Sequence, residues 1–181
     1  VVLALPRASL GLCLGLALAA LPPVLLYPSA KRWFPFPQLV LALCWGFAVL
    51  IPWAAASGAL QGLPLALTWL AAVSWTFGFD TVYAMADRDD DRRVGVRSSA
   101  LSLADRAPLA VALSYAVTVL ALAAAALLRQ ITTPLFWLPW LLAALAMQWE
   151  AWALRRPDLP RDRKSTRLNS SHTVISYAVF C

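Results

Sequence analysis

Long stretches without a charged residue divide the chain. Charged side chains are absent from residues 8–30, 33–79, 107–128 and 130–149. A helix that crosses a bilayer needs about 20 mostly apolar residues, so each stretch is long enough for one. The second is too long for a single helix and contains a turn-like run, SGALQGLP, at residues 57–64. The pattern therefore predicts five membrane-spanning helices, at residues 8–28, 38–57, 63–86, 108–128 and 134–154.

The same stretches leave no polar face, which a helix at the surface of a soluble bundle needs. Apolar residues make up 61% of the 181 positions and charged residues 13%, whereas a typical soluble domain has about 45–50% and about 25%. The mean hydropathy is +0.70. The composition therefore excludes a soluble bundle and predicts an all-α protein, a polytopic bundle of helices whose solvent is the lipid bilayer.

The basic residues indicate which helix ends face the cytoplasm, because short cytoplasmic loops carry an excess of Lys and Arg. If the five helices alternate in direction, only Arg7 and Arg129 fall on one side. The other side receives ten basic residues, at positions 31, 32, 88, 92, 93, 97, 106, 155, 156 and 161. We therefore expect the aspartate-rich loop after the third helix on the cytoplasmic side, or in the equivalent compartment.

Both ends of the sequence indicate a piece of a longer protein. The first residue is Val1, and residues 162–181 resemble the translation of a sequencing adapter, so the predicted domain is residues 1–161. The tail contains His172, the only histidine, and without it the domain has no imidazole for catalysis or metal binding. The domain's net charge of 12 − 8 = +4 predicts no nucleic-acid partner.

Acidic residues concentrate after the third predicted helix. Asp80, Asp87 and Asp91 are seven and four residues apart, so a continuous helix would carry them on one face. Positions 87, 89, 90 and 91 bring four carboxylates together, which repel one another unless a cation lies among them. Mg²⁺ is usually held by one or two carboxylates and substrate phosphates. A solvated loop of mixed charge explains the same spacing, and both interpretations remain open at this point.

These residues also resemble a known family. The run DTVYAMADRDDDRRVGVRSS, residues 80–99, resembles the second aspartate-rich motif of the intramembrane UbiA-type prenyltransferases, and within them of the 4-hydroxybenzoate polyprenyltransferases. The run YPSAKR at residues 27–32, then Pro37-Gln38 and Ile51-Pro52, is similar to the end of the family's fourth helix and to its fifth helix. The similarity covers roughly residues 10–155.

The resemblance implies a nine-helix membrane fold of which these five helices are the fourth to eighth. It implies Mg²⁺-dependent transfer of a polyprenyl group from polyprenyl diphosphate to the ring of 4-hydroxybenzoate in ubiquinone biosynthesis, in a bacterial or a mitochondrial inner membrane. By the same resemblance Asp87 and Asp91 are Mg²⁺ ligands, and Asp80 is a further acidic residue of the motif. Lys31 contacts the diphosphate, assisted by Arg32 and Arg97.

One part of the family pattern is missing. No Asn-Asp-x-x-Asp run, the family's first aspartate-rich motif, occurs in the 181 residues. We therefore expect the parent protein to be an enzyme and this fragment alone to be inactive. A divalent-cation transporter is an alternative, but it needs acidic groups at mid-membrane depth, and outside the end of the third helix the spans contain only Glu150. A non-catalytic membrane protein leaves the acidic spacing unexplained.

Three aromatic residues, Trp75, Phe79 and Tyr83, recur every four residues toward the acidic loop. At this spacing they share one helix face. They either line a cavity for the prenyl chain or face lipid and the membrane interface, as tryptophan and tyrosine commonly do. The sequence leaves both interpretations open.

Overall fold

The computed structural model describes residues 7–155, with side chains from Ser9 onward. All its regular elements in that range are helical, and the all-α prediction is confirmed there. In chain order they are α1 (Arg7–Trp33), α2 (Pro37–Ser57), α3 (Leu63–Ala86), α4 (Arg88–Val94), α5 (Ser99–Leu103), a 3₁₀ turn (Ala104–Arg106), α6 (Ala107–Leu128) and α7 (Pro134–Ala153). The five long helices occur where the charge-free stretches predicted them. The predicted domain boundary at residue 161 and the adapter-like tail lie outside the described residues.

Four stretches are long and apolar enough to cross a membrane: Ser9–Trp33, Pro37–Ser57, Leu63–Ala86 and Ser99–Leu128. The fifth predicted span, α7, is a helix of 20 residues that does not belong to this set. Its four tryptophans, two prolines, Gln148 and Glu150 lower its mean hydropathy. The described chain is thus a polytopic helical membrane bundle whose last helix is the least apolar of the long ones.

The end of α1 differs from the prediction, which placed it at residue 28. The helix continues through Pro28 to Trp33. Proline lacks an N–H and crowds the carbonyl one turn earlier, but membrane helices tolerate it where hydroxyl groups and neighbouring helices satisfy the backbone. Next to Pro28, the Ser29 hydroxyl donates to the Leu26 carbonyl at 2.8 Å. The extension puts Lys31 and Arg32 in the last turn, where cations interact favourably with the negative end of the helix dipole.

The long helices pack in sequence order, α1 on α2, α2 on α3, α3 on α6 and α6 on α7, with the most extensive contact between α3 and α6. Most of the buried apolar residues are alanines, including Ala42, Ala54, Ala71, Ala84, Ala121 and Ala125. Small residues let helix backbones approach closely, which is typical of helix interfaces in membranes. The approach of α6 to α3 is so close at Gly78 that an added methyl group would lie 2.9 Å from Cε1 of Tyr115.

The turns between the long helices collect at two ends of the bundle. One end, called the acidic end below, contains residues 31–38 and 87–106, and the backbone N–H of Arg97 donates there to the Lys31 carbonyl at 2.7 Å. The opposite end contains the turns at residues 58–62 and 129–133, near which the Arg129 guanidinium lies 6.0 Å from the Trp53 ring. The candidate site residues are all at the acidic end.

Candidate active site

The acidic end is assembled from the end of α1, the start of α2 and the long loop between α3 and α6. The Arg97–Lys31 backbone bond ties this loop to the last turn of α1. The Ser102 hydroxyl donates to the Pro35 carbonyl at 2.6 Å, which ties the loop to the α1–α2 turn. Lys31 and Arg97, which are 66 positions apart in the sequence (97 − 31), therefore lie side by side in the fold.

A buried polar contact fixes the same loop from below. The backbone N–H of Ser99 donates to Oε1 of Gln38 at 2.8 Å, and the Ser99 hydroxyl lies 2.9 Å from the hydroxyl of Thr81 on α3. All three residues are buried. Because a buried polar group without a partner is costly, these bonds specify one position of the loop on α2 and α3. Ser98 adds an N-cap, with its hydroxyl accepting from the Leu101 N–H.

The acidic segment is not one continuous helix. α3 ends at Ala86 and α4 begins at Arg88, with Asp87 between them at φ −90° and ψ 5°. Backbone hydrogen bonds cross the junction from Asp87 N–H to the Tyr83 carbonyl and from Asp91 N–H to the Asp87 carbonyl. The condition under which Asp80, Asp87 and Asp91 would share one helix face is therefore not met. Gly95, at φ 74°, ends α4 in the left-handed conformation that glycine adopts without strain.

The carboxylates of this segment fall into two groups. Asp89 pairs with Arg92 at 4.0 Å and Asp90 with Arg93 at 3.5 Å, with all four side chains well exposed. Exposed pairs of this kind contribute little to stability. Neither Asp87 nor Asp91 belongs to an ion pair within residues 9–155; Asp87 is exposed and Asp91 half-buried. The carboxylates of Asp87 and Asp91 therefore remain available to a cation.

Asp80 lies at the membrane side of this group. It is half-buried on α3, and its carboxylate interacts electrostatically with the ammonium of Lys31. The Lys31 ammonium also lies 6.0 Å from the ring centroid of Tyr27, one turn earlier on α1. Arg32 and Arg97 are exposed. The charges of Asp80 and Lys31 therefore influence each other without forming a direct ion pair within residues 9–155, and Arg97 is joined to Lys31 through the backbone.

The fit of a metal ion depends on how many ligands the protein must supply. Within the described range no group of three or more His, Cys, Asp or Glu side chains is arranged to hold one. Mg²⁺ commonly takes one or two carboxylates and completes its shell with waters and substrate phosphates. Asp87 and Asp91 have the right donor chemistry for such a shared site, but this part of the chain offers no complete cage.

Comparison with protein families matches residues 2–171, most of the chain, to the UbiA prenyltransferase family. The chain belongs to this family. No solved structure matches it.

Three bacterial relatives show how much of a UbiA protein is present. The chain is 51% identical over 123 residues to the 4-hydroxybenzoate solanesyltransferase of Synechocystis sp., which covers 68% of the chain and 41% of that protein. It is 36% identical over 151 residues to the 4-hydroxybenzoate octaprenyltransferase of Polaromonas sp., covering 83% and 52%. The corresponding enzyme of Aeromonas hydrophila is 36% identical over 136 residues, covering 75% and 46%. The chain therefore spans about half, or less, of the length of these curated relatives.

Three aromatic residues of this UbiA chain, Trp75, Phe79 and Tyr83, form a continuous column on α3. The rings of Trp75 and Phe79 stack with their centroids 5.1 Å apart, and Phe79 meets Tyr83 edge-on at 4.9 Å. Trp75 also packs against a buried cluster around Tyr115 of α6. The column therefore leads from the helix interface to Tyr83, which is 47% exposed just before Asp87. Whether it lines a prenyl cavity stays a prediction.

Four residues to which the sequence assigned no role in the site hold this end together: Gln38, Arg88, Tyr115 and Glu150. Gln38 accepts from Ser99, and Arg88 donates from one Nη to the carbonyls of Ala100 and Ala104 at 3.0 Å each. The hydroxyl of buried Tyr115 donates to Glu150 at 2.8 Å and joins α6 to α7. A polar residue inside an apolar helix is a sequence signal for a structural or functional role, and Gln38 and Glu150 both carry it. Arg88 gave no such signal because it lies in a run of charges.

Proposed function

We propose that the parent protein of this UbiA chain transfers a polyprenyl group from polyprenyl diphosphate to the ring of 4-hydroxybenzoate, a step of ubiquinone biosynthesis. The names of the three relatives, all 4-hydroxybenzoate polyprenyltransferases, support this substrate pair. The observation that carries the proposal is the backbone hydrogen bond that joins Lys31, in the last turn of α1, to the loop of the acidic segment at one end of a membrane bundle. Cations and carboxylates at the end of apolar helices suit a lipid that carries a diphosphate head.

In this proposal the basic residues hold the diphosphate. Lys31 is the main contact, because its ammonium sits where α1 meets the loop, and Arg32 and Arg97 add exposed guanidinium groups nearby. Guanidinium groups match phosphate oxygens in geometry and charge. Asp80 adds a negative charge that interacts electrostatically with the Lys31 ammonium. Together they keep the head group at the membrane boundary while the prenyl chain remains in the apolar part of the bundle.

Asp87 and Asp91 are the proposed protein ligands of Mg²⁺. Bound there, Mg²⁺ would neutralise the charge that builds up on the departing diphosphate. The backbone of both residues is held, because the Asp87 N–H donates to the Tyr83 carbonyl and the Asp91 carbonyl accepts from the N–H groups of Gly95 and Val96. The incomplete ligand set among the described residues agrees with a site that the rest of the parent protein completes.

The aromatic column is the proposed boundary of the prenyl site. The faces of Trp75, Phe79 and Tyr83 can stabilise positive charge on an allylic carbon, because aromatic rings attract cations through their negative faces. The acceptor ring would then attack that carbon and release a proton. We place the acidic end on the cytoplasmic side of a bacterial inner membrane, or at the equivalent face of a mitochondrial one, on the excess of basic residues there.

The test compares the two proposed ligands with a third aspartate of the acidic segment, in the full-length protein. Asp87→Asn or Asp91→Asn should lower kcat by about 100-fold or more, since metal ligands supply several kcal/mol of transition-state stabilisation. The matched control is Asp90→Asn, an exposed residue whose ion pair with Arg93 contributes little. Wild-type rates in both ligand variants, measured as prenylated 4-hydroxybenzoate at varied Mg²⁺, would contradict the proposed ligands.

A second measurement concerns the fragment itself. We propose that the 181-residue chain alone does not transfer prenyl groups, because it contains no Asn-Asp-x-x-Asp motif. Purified chain in lipid nanodiscs, supplied with geranyl diphosphate, 4-hydroxybenzoate and Mg²⁺, should release no diphosphate above the background. Mg²⁺-dependent release would show that the second motif is sufficient.

A further inference from the structure

Arg88 directly follows Asp87, but its side chain is bound to the backbone of another element. Its Nη2 donates to the carbonyl oxygens of Ala100, in α5, and of Ala104, in the following 3₁₀ turn. Both distances are 3.0 Å. One guanidinium therefore connects the first residue of α4 to both ends of the α5 segment.

The surroundings of Arg88 differ from those of the other arginines in α4. Its Nε is buried and has no acceptor among the described residues, and it takes part in neither of the two ion pairs found in residues 9–155. Arg92 and Arg93 are exposed and pair with aspartates one turn away. Burying a charged group is costly unless hydrogen bonds compensate. The two carbonyls are the compensation that holds the Arg88 side chain in place.

One of these carbonyls belongs to an unusual backbone. Ala104 has φ 48° and ψ −121°, a conformation that non-glycine residues rarely adopt. Such backbones persist only where the surrounding structure holds them. The hydrogen bond from Arg88 is one such contact. The geometry of α5 and of the turn after it thus depends on a residue of the acidic motif.

We propose that Arg88 is a positioning residue that clamps α4 to α5 and thereby fixes the direction of the Asp87 and Asp91 carboxylates. This inference rests on the proposed function, in which these two carboxylates hold Mg²⁺. It gives Arg88 a different role from that of Lys31, Arg32 and Arg97, which contact the diphosphate in the proposed function. Residues that orient metal ligands typically change metal affinity about 10–100-fold when they are mutated.

The clamp is tested first without any activity measurement. Hydrogen exchange is followed in the full-length protein for Arg88→Gln and for Arg93→Gln, which removes the same charge from an exposed position of the same helix. Arg88→Gln should raise exchange of the amides at residues 99–106 by about tenfold, because hydrogen bonds from a charged donor are among the stronger ones. Equal exchange in the two variants would overturn the clamp.

The consequence for the metal is tested by Mg²⁺ titration of prenyl transfer. Arg88→Gln should raise the half-saturating Mg²⁺ concentration by about 10–100-fold while KM for 4-hydroxybenzoate stays within about twofold, and Arg93→Gln should change neither. Arg88→Lys keeps the charge but is shorter and lacks the guanidinium fork, so it should behave like Arg88→Gln. An unchanged Mg²⁺ requirement in Arg88→Gln, or full recovery in Arg88→Lys, would overturn the positioning role.

The two experiments also separate this inference from the proposed function. If the wild-type parent protein shows no Mg²⁺-dependent transfer to 4-hydroxybenzoate, the proposed function fails. The exchange comparison of Arg88→Gln with Arg93→Gln still decides whether Arg88 holds α4 to α5.

Discussion

The acidic end and the opposite end of the bundle reverse the chain by different means. At the opposite end each turn has five residues, 58–62 and 129–133, and backbone caps close them together with local side-chain bonds, such as that from Trp137 Nε1 to the Ile131 carbonyl. Gly58, at φ 71°, donates to the Ala54 carbonyl, and Gln130, at φ 55°, donates to Leu127. At the acidic end the connection from α3 to α6 takes 20 residues, 87–106, and side chains hold it. Gln38 of α2 and Thr81 of α3 bind it at Ser99, and Arg88 binds one part of the loop to another.

The difference follows from the number of backbone groups that need partners. A five-residue turn leaves few N–H and C=O groups outside the helices, and most of these reach water or the helix end. A long loop folded back onto the bundle buries such groups, and each needs an acceptor or donor. At the acidic end Gln38 and Arg88 supply them, whereas at the opposite end Gln61 and Ser57 are exposed. A fixed loop is what a site for charged ligands requires.

The bundle also has an apolar cavity, and it lies toward the end opposite the buried polar contacts. A cavity of about 590 Å³ between α1, α2 and α3 opens beside the turn at 58–62, and no charged residue lines it. Its walls include Phe47, Leu65 and Trp69. The opposite end is thus suited to hydrocarbon, while buried polar contacts concentrate at the acidic end.

The strongest test of this comparison exchanges one glutamine at each end for leucine. Gln38→Leu leaves the buried Ser99 N–H without its acceptor, so we expect a loss of up to about 3 kcal/mol in the free energy of unfolding. Prenyl transfer should fall with it, because the loop loses its fixed position. Gln61→Leu is the control: Gln61 is exposed, and exposed substitutions usually change stability by less than about 0.5 kcal/mol.

Both variants are compared in the full-length protein by denaturation in mixed micelles. Equal stabilities of Gln38→Leu and Gln61→Leu would contradict the claim that buried side chains, and not the caps, hold the acidic end.

A second test uses a pair of positions, one at each end, where the same substitution should have the same effect. Gly58 and Gly95 have nearly the same backbone, φ 71° and φ 74°, and neither has a neighbour within 4 Å of an added Cβ. Alanine at either position should cost about 1–2 kcal/mol, the price of the left-handed conformation for a residue with a Cβ. Thermal unfolding of Gly58→Ala and Gly95→Ala should therefore give similar losses. A much larger loss for Gly95→Ala would mean that the end of α4 also depends on contacts that the glycine itself makes.

The sequence predicted the long helices well because their signal is local. Freedom from charge over 20 or more residues marks a membrane helix whatever it packs against. The end of α1 was predicted too early, at residue 28, because a membrane helix can continue through a proline such as Pro28. The end of α3 at Ala86 was predicted correctly, but the spacing of seven and four could not show whether the helix continues and carries Asp80, Asp87 and Asp91 on one face.

The candidate site was predicted less completely, for a related reason. Motif resemblance selected Lys31, Asp80, Asp87 and Asp91, residues whose chemistry is visible in their side chains. Gln38 and Arg88 act on backbone groups of distant residues, at separations of 61 and 12. Such bonds depend on how the helices pack, and nothing in the local sequence indicates which N–H or carbonyl will be left over.

The smallest expected effect is the difference in stability between removing a buried hydroxyl and removing an exposed one. Ser99→Ala removes the hydroxyl contact with Thr81 but keeps the Ser99 N–H bond to Gln38. Since Thr81 still donates to the Phe77 carbonyl at 2.7 Å, we expect a loss of about 1 kcal/mol, the net value of one hydrogen bond. Ser57→Ala removes contacts of an exposed hydroxyl with Trp53 and Ala59, which water replaces, so its cost should be below about 0.5 kcal/mol. Unfolding of both variants in the same micelles measures the difference. If Ser57→Ala costs as much as Ser99→Ala, burial does not distinguish the two ends, and the order of the acidic loop must come from Gln38 and Arg88 alone.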